Sequence, residues 1–322
     1  MFVEPRPGGQ AVWQRLWVPP PGLIEITDLL FERNPDGTRA PIRRASVVQH
    51  CVEHGDRWAA GIVAEMPSTD GWLDPEYVDR LMVAVHCEIQ RLSEEFRHGA
   101  RMAELLVPLL ATLGRCGQPP PYRVVDVGCG TGYVVRWLSD WCITPDVEFV
   151  GVDLNPALVD AARNLAARDG VRCRFEVADA FSLTEPATVL ISTGVMHHFR
   201  GPDLDRFFAA HERSGAAAFV HLDFQASRLA PIGSWLFHHT RMRLAVTRHD
   251  GIRSAQRAHG TDVLSESATN NAKRFETMIS RPSVRFTPLP CVLTVLIGTL
   301  SGLSQPLLEE LGTAARRFNP LR

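Results

Sequence analysis

The chain has 322 residues, 45% of them apolar and 22% charged, enough for one large core or two modest ones. Its 34 Lys and Arg against 36 Asp and Glu leave no excess positive charge to neutralise a phosphate backbone, so no nucleic-acid partner is expected. Seven cysteines with no C-x-x-C pair suggest neither a disulfide framework nor a zinc site, and no apolar run approaches the roughly 18 residues of a membrane span; with no leader pattern at the N-terminus, a cytoplasmic protein without membrane contact is expected.

Residues 1–40 are rich in proline and turn signals. AVWQRLWV (residues 11–18) and LIEITDLLF (residues 23–31) read as short strands, with Trp13 and Trp17 as packing residues and NPDG (residues 34–37) as a turn. From Pro41 to about Leu113 the pattern is helical. Asp74, Pro75 and Glu76 supply an N-cap, an N1 proline and a first-turn acid, and Leu81, Val85, Ile89, Leu92 and Phe96 then mark one apolar face. Residues 92–107 read as a helix leading toward the linker CGQPPPYR (residues 116–123). The chain thus divides into an N-terminal, mainly helical extension (1–114) and a second domain (115–322).

Beyond Tyr122 strand and helix signals alternate, which argues for an α/β sheet with parallel strands. RVVDVG, VEFVGVD, VRCRFEVAD, ATVLIST and AAAFVHLDF are the first five strands; FETMIS and VRFTPLPCVLTVLIG are two final ones with no helix between them. Helices are expected over residues 131–141 and from Asn155-Pro156 to about Arg168.

The stretch VVDVGCGTGYVV (residues 124–135) poses the functional question. A dinucleotide site needs G-x-G-x-x-G so that a pyrophosphate can rest on a helix N-terminus. Here Gly128, Gly130 and Gly132 alternate, Tyr133 stands where the third dinucleotide glycine belongs, and Asp126 lies immediately upstream, where its charge would repel phosphates.

Together with VGVDLNP, VADAF and STGVMHHF, in that order, this stretch resembles the class I S-adenosylmethionine (SAM)-dependent methyltransferases. The resemblance covers residues 115–225 well, the rest of the C-terminal part loosely, and the extension hardly at all. It implies a Rossmann-like seven-stranded, mostly parallel sheet with one antiparallel strand near the C-terminus, and SAM as cofactor, released as S-adenosylhomocysteine (SAH). SAM carries a sulfonium and an ammonium, so the Asp126 carboxylate becomes an asset. The turn of Gly128, Cys129 and Gly130 would lie along the methionine moiety with Tyr133 behind it, Cys129 as a small neutral occupant. By the same resemblance Asp153 would accept the ribose hydroxyls, Leu154 would pack on adenine, and Asp179 and Ala180 would meet the adenine edge. Thr193, closing the fourth strand, joins the cofactor set, and Arg97 or Arg101 could reach the SAM carboxylate.

Methyl transfer from a sulfonium is an in-line displacement, and a base is needed only if the acceptor must lose a proton. His197 and His198 follow the fourth strand, whose C-terminal end faces the ligand crevice in open parallel sheets, and histidine can take a proton near neutral pH. His249 beside Asp250 is a further candidate, set against a plain polar turn at RHDG, since adjacent side chains on a helix do not face one another. No metal site is expected, because no carboxylates or histidines at i, i+4 spacing point into the crevice. Residues 225–261 read as a helical cover that closes, with the extension, over a small, largely apolar acceptor of aromatic, phenolic, indolic or isoprenoid character. Alternatives are non-methylating SAM chemistry of the cyclase or decarboxylase type, or RNA methylation; a homodimer stays open.

Overall fold

The computed structural model describes residues 23–34, 38–141, 146–183, 185–227, 229–280 and 293–320. The expected strands at Trp13 and Trp17, most of the NPDG turn and the segment between the last two strands lie outside these residues.

Seven strands occur where they were expected: β1 (Tyr122–Val127), β2 (Val147–Asp153), β3 (Arg174–Val177), β4 (Val189–Thr193), β5 (Ala218–Phe224), β6 (Phe275–Ser280) and β7 (Leu293–Leu300). A short eighth, β8 (Phe318–Pro320), completes a sheet of order β8-β6-β7-β5-β4-β1-β2-β3. The first five strands pair in parallel, whereas β7 runs antiparallel to both β5 and β6, and β8 antiparallel to β6. β1 sits at the centre because its Val124, Val125 and Val127 are covered on both faces. Each such side chain contributes roughly 1.5–3 kcal/mol of burial. The order in which strands are added switches from one side of β1 to the other between β3 and β4, so the C-terminal ends of β1 and β4 flank a crevice of the kind that binds ligands.

Helices flank the sheet: α4 (Pro75–Glu95), α5 (His98–Arg115), α6 (Tyr133–Trp141), α7 (Pro156–Asp169) and α8 (Pro202–Arg213), with α1 (Ile26–Leu29), α2 (Arg44–Glu53) and α3 (Arg57–Ala64) before them and α9 (Ala230–Arg241), α10 (Ala245–Arg257), α11 (Thr261–Asn271) and α12 (Ser304–Leu311) after. The Asp74 carboxylate accepts the Glu76 and Tyr77 amides, and Asn155 the Ala157 amide, which starts α4 and α7 where the sequence put them.

Three expectations are corrected. The continuous helix over residues 92–107 is broken: Arg97 takes a left-handed φ of 56°, so α4 ends and α5 begins in a new direction. LIEITDLLF is not a strand. Its Ile24, Ile26 and Leu30 are fully buried, but among the described residues no strand pairs with it; the Asp250 carboxylate instead accepts the amides of Ile26 (2.8 Å) and Thr27 (2.9 Å), capping the single turn of α1 from another helix. RHDG is no turn either, since residues 248–251 lie inside α10.

The extension packs in two ways. Met102, Leu106, Leu109 and Leu113 of α5 belong to the same core as β1 and α6, so the sheet core begins before residue 114. Ile26, Val47, Val63, Leu81 and Val85 form a separate core that also takes in Leu158 of α7 and Val246 of α10. The 225–261 segment is helical as α9 and α10, and α10 touches α1, α3, α4 and the turn after β4.

Candidate active site

The glycine turn leaves β1 and is tied to β2. Both oxygens of Asp153 are engaged: one accepts the Gly130 amide and the other the Asn155 amide, each at 2.9 Å. The α7 cap is therefore Asn155, and Asp153 is left to bind the turn while each oxygen retains a lone pair for a ligand hydroxyl. The glycines are required mainly by the protein itself. Gly130 and Gly132 have φ of 55° and 74°, and a Cβ would come within 2.8 Å of the His86 ring at the first and 2.3 Å of Phe175 at the second. Backbone access for the methionine moiety is thus not their only use, and His86 of α4 is placed directly over the turn.

Asp126 is buried beneath this turn. Burial, helped by the charge of Asp153, pushes its carboxyl up to about 8. A carboxyl in that state accommodates a cationic ligand group, which would draw it into the ionised form. Thr193 Oγ1 at the end of β4 is buried and has no hydrogen-bond partner among the described residues. An orphaned hydroxyl at the end of β4 and, on the neighbouring β1, a buried carboxyl held in its protonated range fit a polar, cationic cofactor. SAM carries that chemistry. Leu154 is exposed, as a residue open to a planar ring would be. Burial raises the Cys129 thiol well above its ordinary range, with the neighbouring Asp153 and Asp126 adding to it, so Cys129 is a neutral filler. Tyr133 is half-buried at the start of α6. Asp179 accepts the Phe181 amide at 2.9 Å through one oxygen, a local turn that leaves the other oxygen available, with Ala180 between them. Arg101 Nε donates to the Phe96 carbonyl at 2.8 Å, and Arg97 serves the helix break; neither is brought to the glycine turn by these contacts.

The histidines after β4 meet carboxylates. His197 is buried; its Nδ1 lies 2.7 Å from Asp223 Oδ1, and its backbone amide donates to Asp223 Oδ2 at 2.8 Å. Its Nε2 faces Glu25 Oε1 at 3.8 Å. His198 Nδ1 lies 3.2 Å from Asp28 Oδ1 and 3.7 Å from Glu25 Oε2. Burial would lower the His198 pKa, but Glu25 and Asp28 overcome it and lift it to about 9. Asp28 is pushed up by burial and pulled down further by His198 and Arg257, to about 2. Arg257 Nη1 reaches Asp28 at 2.7 Å and Glu25 at 3.3 Å.

His249 is corrected most clearly. It does face its neighbour: Nδ1 lies 2.7 Å from Asp250 Oδ1 and Nε2 2.9 Å from Asp56 Oδ2, in a site closed to solvent. With a carboxylate on each ring nitrogen, His249 is a rivet between α10 and α3, and its hydrogen bonds and charge pairing with Asp250 and Asp56 raise its pKa against the pull of burial.

Sequence reasoning missed four residues here. Glu25 and Asp28 arrive from a segment read as a strand, and Arg257 from a helix with no recognisable pattern. His98, the first residue of α5, is buried with both ring nitrogens unpartnered among the described residues. Burial and then the Arg101 charge press its pKa down to about 4, against the pull of Asp223. It stacks on Phe96, 6.4 Å away, and Phe96 packs with Phe237, Leu92, Met242 and Phe224, forming an apolar cluster beside the ring of His197. Only the break at Arg97 turns His98 inward, and a uniform helical period conceals that break.

Comparison with known proteins is consistent with this geometry. Residues 124–215 match the family model described as a methyltransferase domain. A trans-aconitate 2-methyltransferase of Streptomyces coelicolor is 32% identical over 34% of this chain and 36% of its own length. A ribosomal RNA small subunit methyltransferase C of Alcanivorax borkumensis is 28% identical over 48% of this chain and 47% of its own. The chain thus spans about a third to a half of the length of these curated relatives. Among solved structures, a plantazolicin methyltransferase in complex with SAH superposes with a TM-score of 0.51 at 12% identity, covering 70% of this chain and 91% of that one, which is a likeness of fold.

Proposed function

From the match of residues 124–215 to a methyltransferase-domain model, we propose that the chain is a class I SAM-dependent methyltransferase that transfers the SAM methyl group to a small, largely apolar acceptor held between α4, α9 and the end of β5. The observation that carries the acceptor side is the cluster of Leu92, Phe96, Phe224, Phe237 and Met242, which the extension and the 225–261 segment build together at the mouth of the strand crevice. Aromatic and thioether side chains of this kind favour a planar or isoprenoid group.

On the cofactor side, Asp153 would take the ribose hydroxyls, Asp126 the cationic end of the methionine moiety, Leu154 and Ala180 the adenine faces, and Asp179 its amino edge, with Gly128, Cys129, Gly130, Tyr133 and Thr193 completing the wall. Transfer then depends on alignment, because the leaving group belongs to the cofactor. We assign His197 and His198 to holding the 23–30 segment over the strand ends. His98, without a hydrogen-bond partner among the described residues and stacked on Phe96 of the apolar cluster, is the polar group that would meet a heteroatom of the acceptor. The extension (1–114) and residues 225–261 act in this reading as the acceptor cover.

The test is release of SAH, with a mass gain of one methyl group in the acceptor, when the purified chain is incubated with SAM and a library of aromatic and isoprenoid metabolites. Turnover of ribosomal RNA alone, weakening steeply with salt, would replace the small-molecule reading with the RNA one. SAM binding with a different product would point to non-methylating chemistry.

A further inference from the structure

We propose that Glu25, His197 and His198 form a binding site for one divalent first-row transition-metal ion, with Zn²⁺ the best match to the ligand set. This goes beyond the methyl-transfer reading and does not depend on it.

One ligand atom from each of the three residues lies within 4.8 Å of the others. The separations of 3.8 Å from Glu25 Oε1 to His197 Nε2 and 3.7 Å from Glu25 Oε2 to His198 Nδ1 are too long for hydrogen bonds. They run to the two different oxygens of Glu25, so bringing one of these oxygens and both rings to the edges of a tetrahedron, about 3.4 Å for bonds of about 2.1 Å, takes a turn of the carboxylate and a contraction from separations of up to 4.8 Å. His197 is also prepared for that role. Asp223 takes Nδ1–H at 2.7 Å, which fixes the tautomer and turns the Nε2 lone pair toward the Glu25 carboxylate. Two acceptors then face each other in a buried place; Arg257 Nη1, 3.3 Å from the same Glu25 oxygen, offsets part of their repulsion, and a cation between them would offset the rest. A carboxylate behind a ligating imidazole is the usual support of a histidine–metal bond.

An ion there displaces the 3.2 Å contact of His198 Nδ1 with Asp28 and shares Glu25 with Arg257, whose Nη1 lies 3.3 Å from Oε1 and 2.7 Å from Asp28. Two imidazole nitrogens and a carboxylate oxygen are borderline donors, which favour Zn²⁺ and its first-row neighbours over Mg²⁺ or Ca²⁺. Spacing rules could not reveal this set, because its carboxylate comes from the extension and its histidines from the turn after β4.

The experiment uses the full chain, stripped with a chelator and titrated with Co²⁺, then with Zn²⁺. The expected result is one ion per chain, visible ligand-field bands on Co²⁺ that Zn²⁺ abolishes, and a loss of affinity of about 100-fold or more in Glu25→Gln and His198→Gln. His50→Gln, which removes one ring of the half-buried pair His50 and His54 whose centroids lie 4.1 Å apart, should bind as the parent does. Absence of binding, binding unchanged in both site variants, or binding lost in His50→Gln would overturn the proposal. Should the site variants not fold, X-ray absorption on the parent Co²⁺ complex decides, with two imidazoles expected and any other count opposing. SAH calorimetry on the stripped protein separates the two ideas: SAH binding without ion binding removes the metal site alone, and absence of SAH binding removes the methyltransferase reading alone.

Discussion

The Asp153 carboxylate and the Gly130 amide, 2.9 Å apart, join the end of β2 to the glycine turn after β1, so one side chain both shapes the cofactor crevice and lines it. This dual role changes what its removal should do. Asp153→Ala should weaken SAH binding by about 1–3 kcal/mol, the worth of hydrogen bonds to a charged group. It should also lower the melting temperature by a few degrees, because two backbone amides lose their acceptor. Calorimetry and thermal unfolding on the same samples check both; unchanged SAH affinity with lowered stability would confine Asp153 to the turn.

Asp126 should make cofactor binding pH-dependent. Its carboxyl is held up near 8 by burial and by Asp153, so in the free protein it carries a proton at neutral pH. A cationic ligand stabilises the ionised form, so binding expels that proton, and affinity should rise as pH climbs from about 6 toward about 8, by up to about tenfold per unit. Calorimetry in buffers of different ionisation enthalpy would show the release as a buffer-dependent heat. Asp126→Asn should bind more weakly, and its contribution to the slope should vanish; a slope identical to that of the parent would dissociate Asp126 from the ligand.

How far the sequence exposes all this depends on the range of the interactions. The strands were legible because parallel strands covered on both faces are continuous apolar runs, as in Val124–Val127 and the apolar stretch through Leu190, and α4 and α7 because Asp74 and Asn155 cap them locally. What failed was decided at long range. The α1 turn is capped by Asp250 and not by a neighbour, the pairing of His249 with Asp56 spans a separation of 193 residues, and the Glu25 contact with His197 joins the extension to the turn after β4. Asp250 also shows why the adjacency argument fell short: a short aspartate beside a histidine can bend back to its ring when both are sealed in the interior.

His98 offers a test of the acceptor side. Its ring makes no hydrogen bond among the described residues, so His98→Phe removes no such bond there, keeps an aromatic ring beside Phe96 and relieves a buried polar group. Stability should stay within about 1 kcal/mol of the parent or rise, and SAH affinity should be unchanged, while turnover of an acceptor with a hydroxyl or amine should fall about 10-fold or more. Rates on the identified acceptor, beside SAH calorimetry, read this directly. A large fall in stability with normal turnover would make His98 a packing residue.

The His249 rivet predicts how stability should follow pH. Burial alone would lower its pKa, but hydrogen bonds and charge from Asp250 and Asp56 leave it raised above the ordinary histidine value of 6.5. A raised folded-state value means that the folded chain holds this proton more tightly than the unfolded one. The resulting stabilisation is complete below the unfolded value and drains away as pH rises through the folded one. The melting temperature should therefore decline from about 6.5 upward, through the alkaline side of neutrality. His249→Gln leaves Asp56 its Arg253 partner at 2.6 Å and Asp250 its amides on α1, so the loss should be about 2–4 kcal/mol, short of unfolding. In that variant the decline should flatten, since the titrating group is gone. Thermal unfolding from about pH 5 to about pH 9 for the two proteins makes the comparison, and parallel curves would show that the proton on His249 contributes nothing to holding α10 against α3.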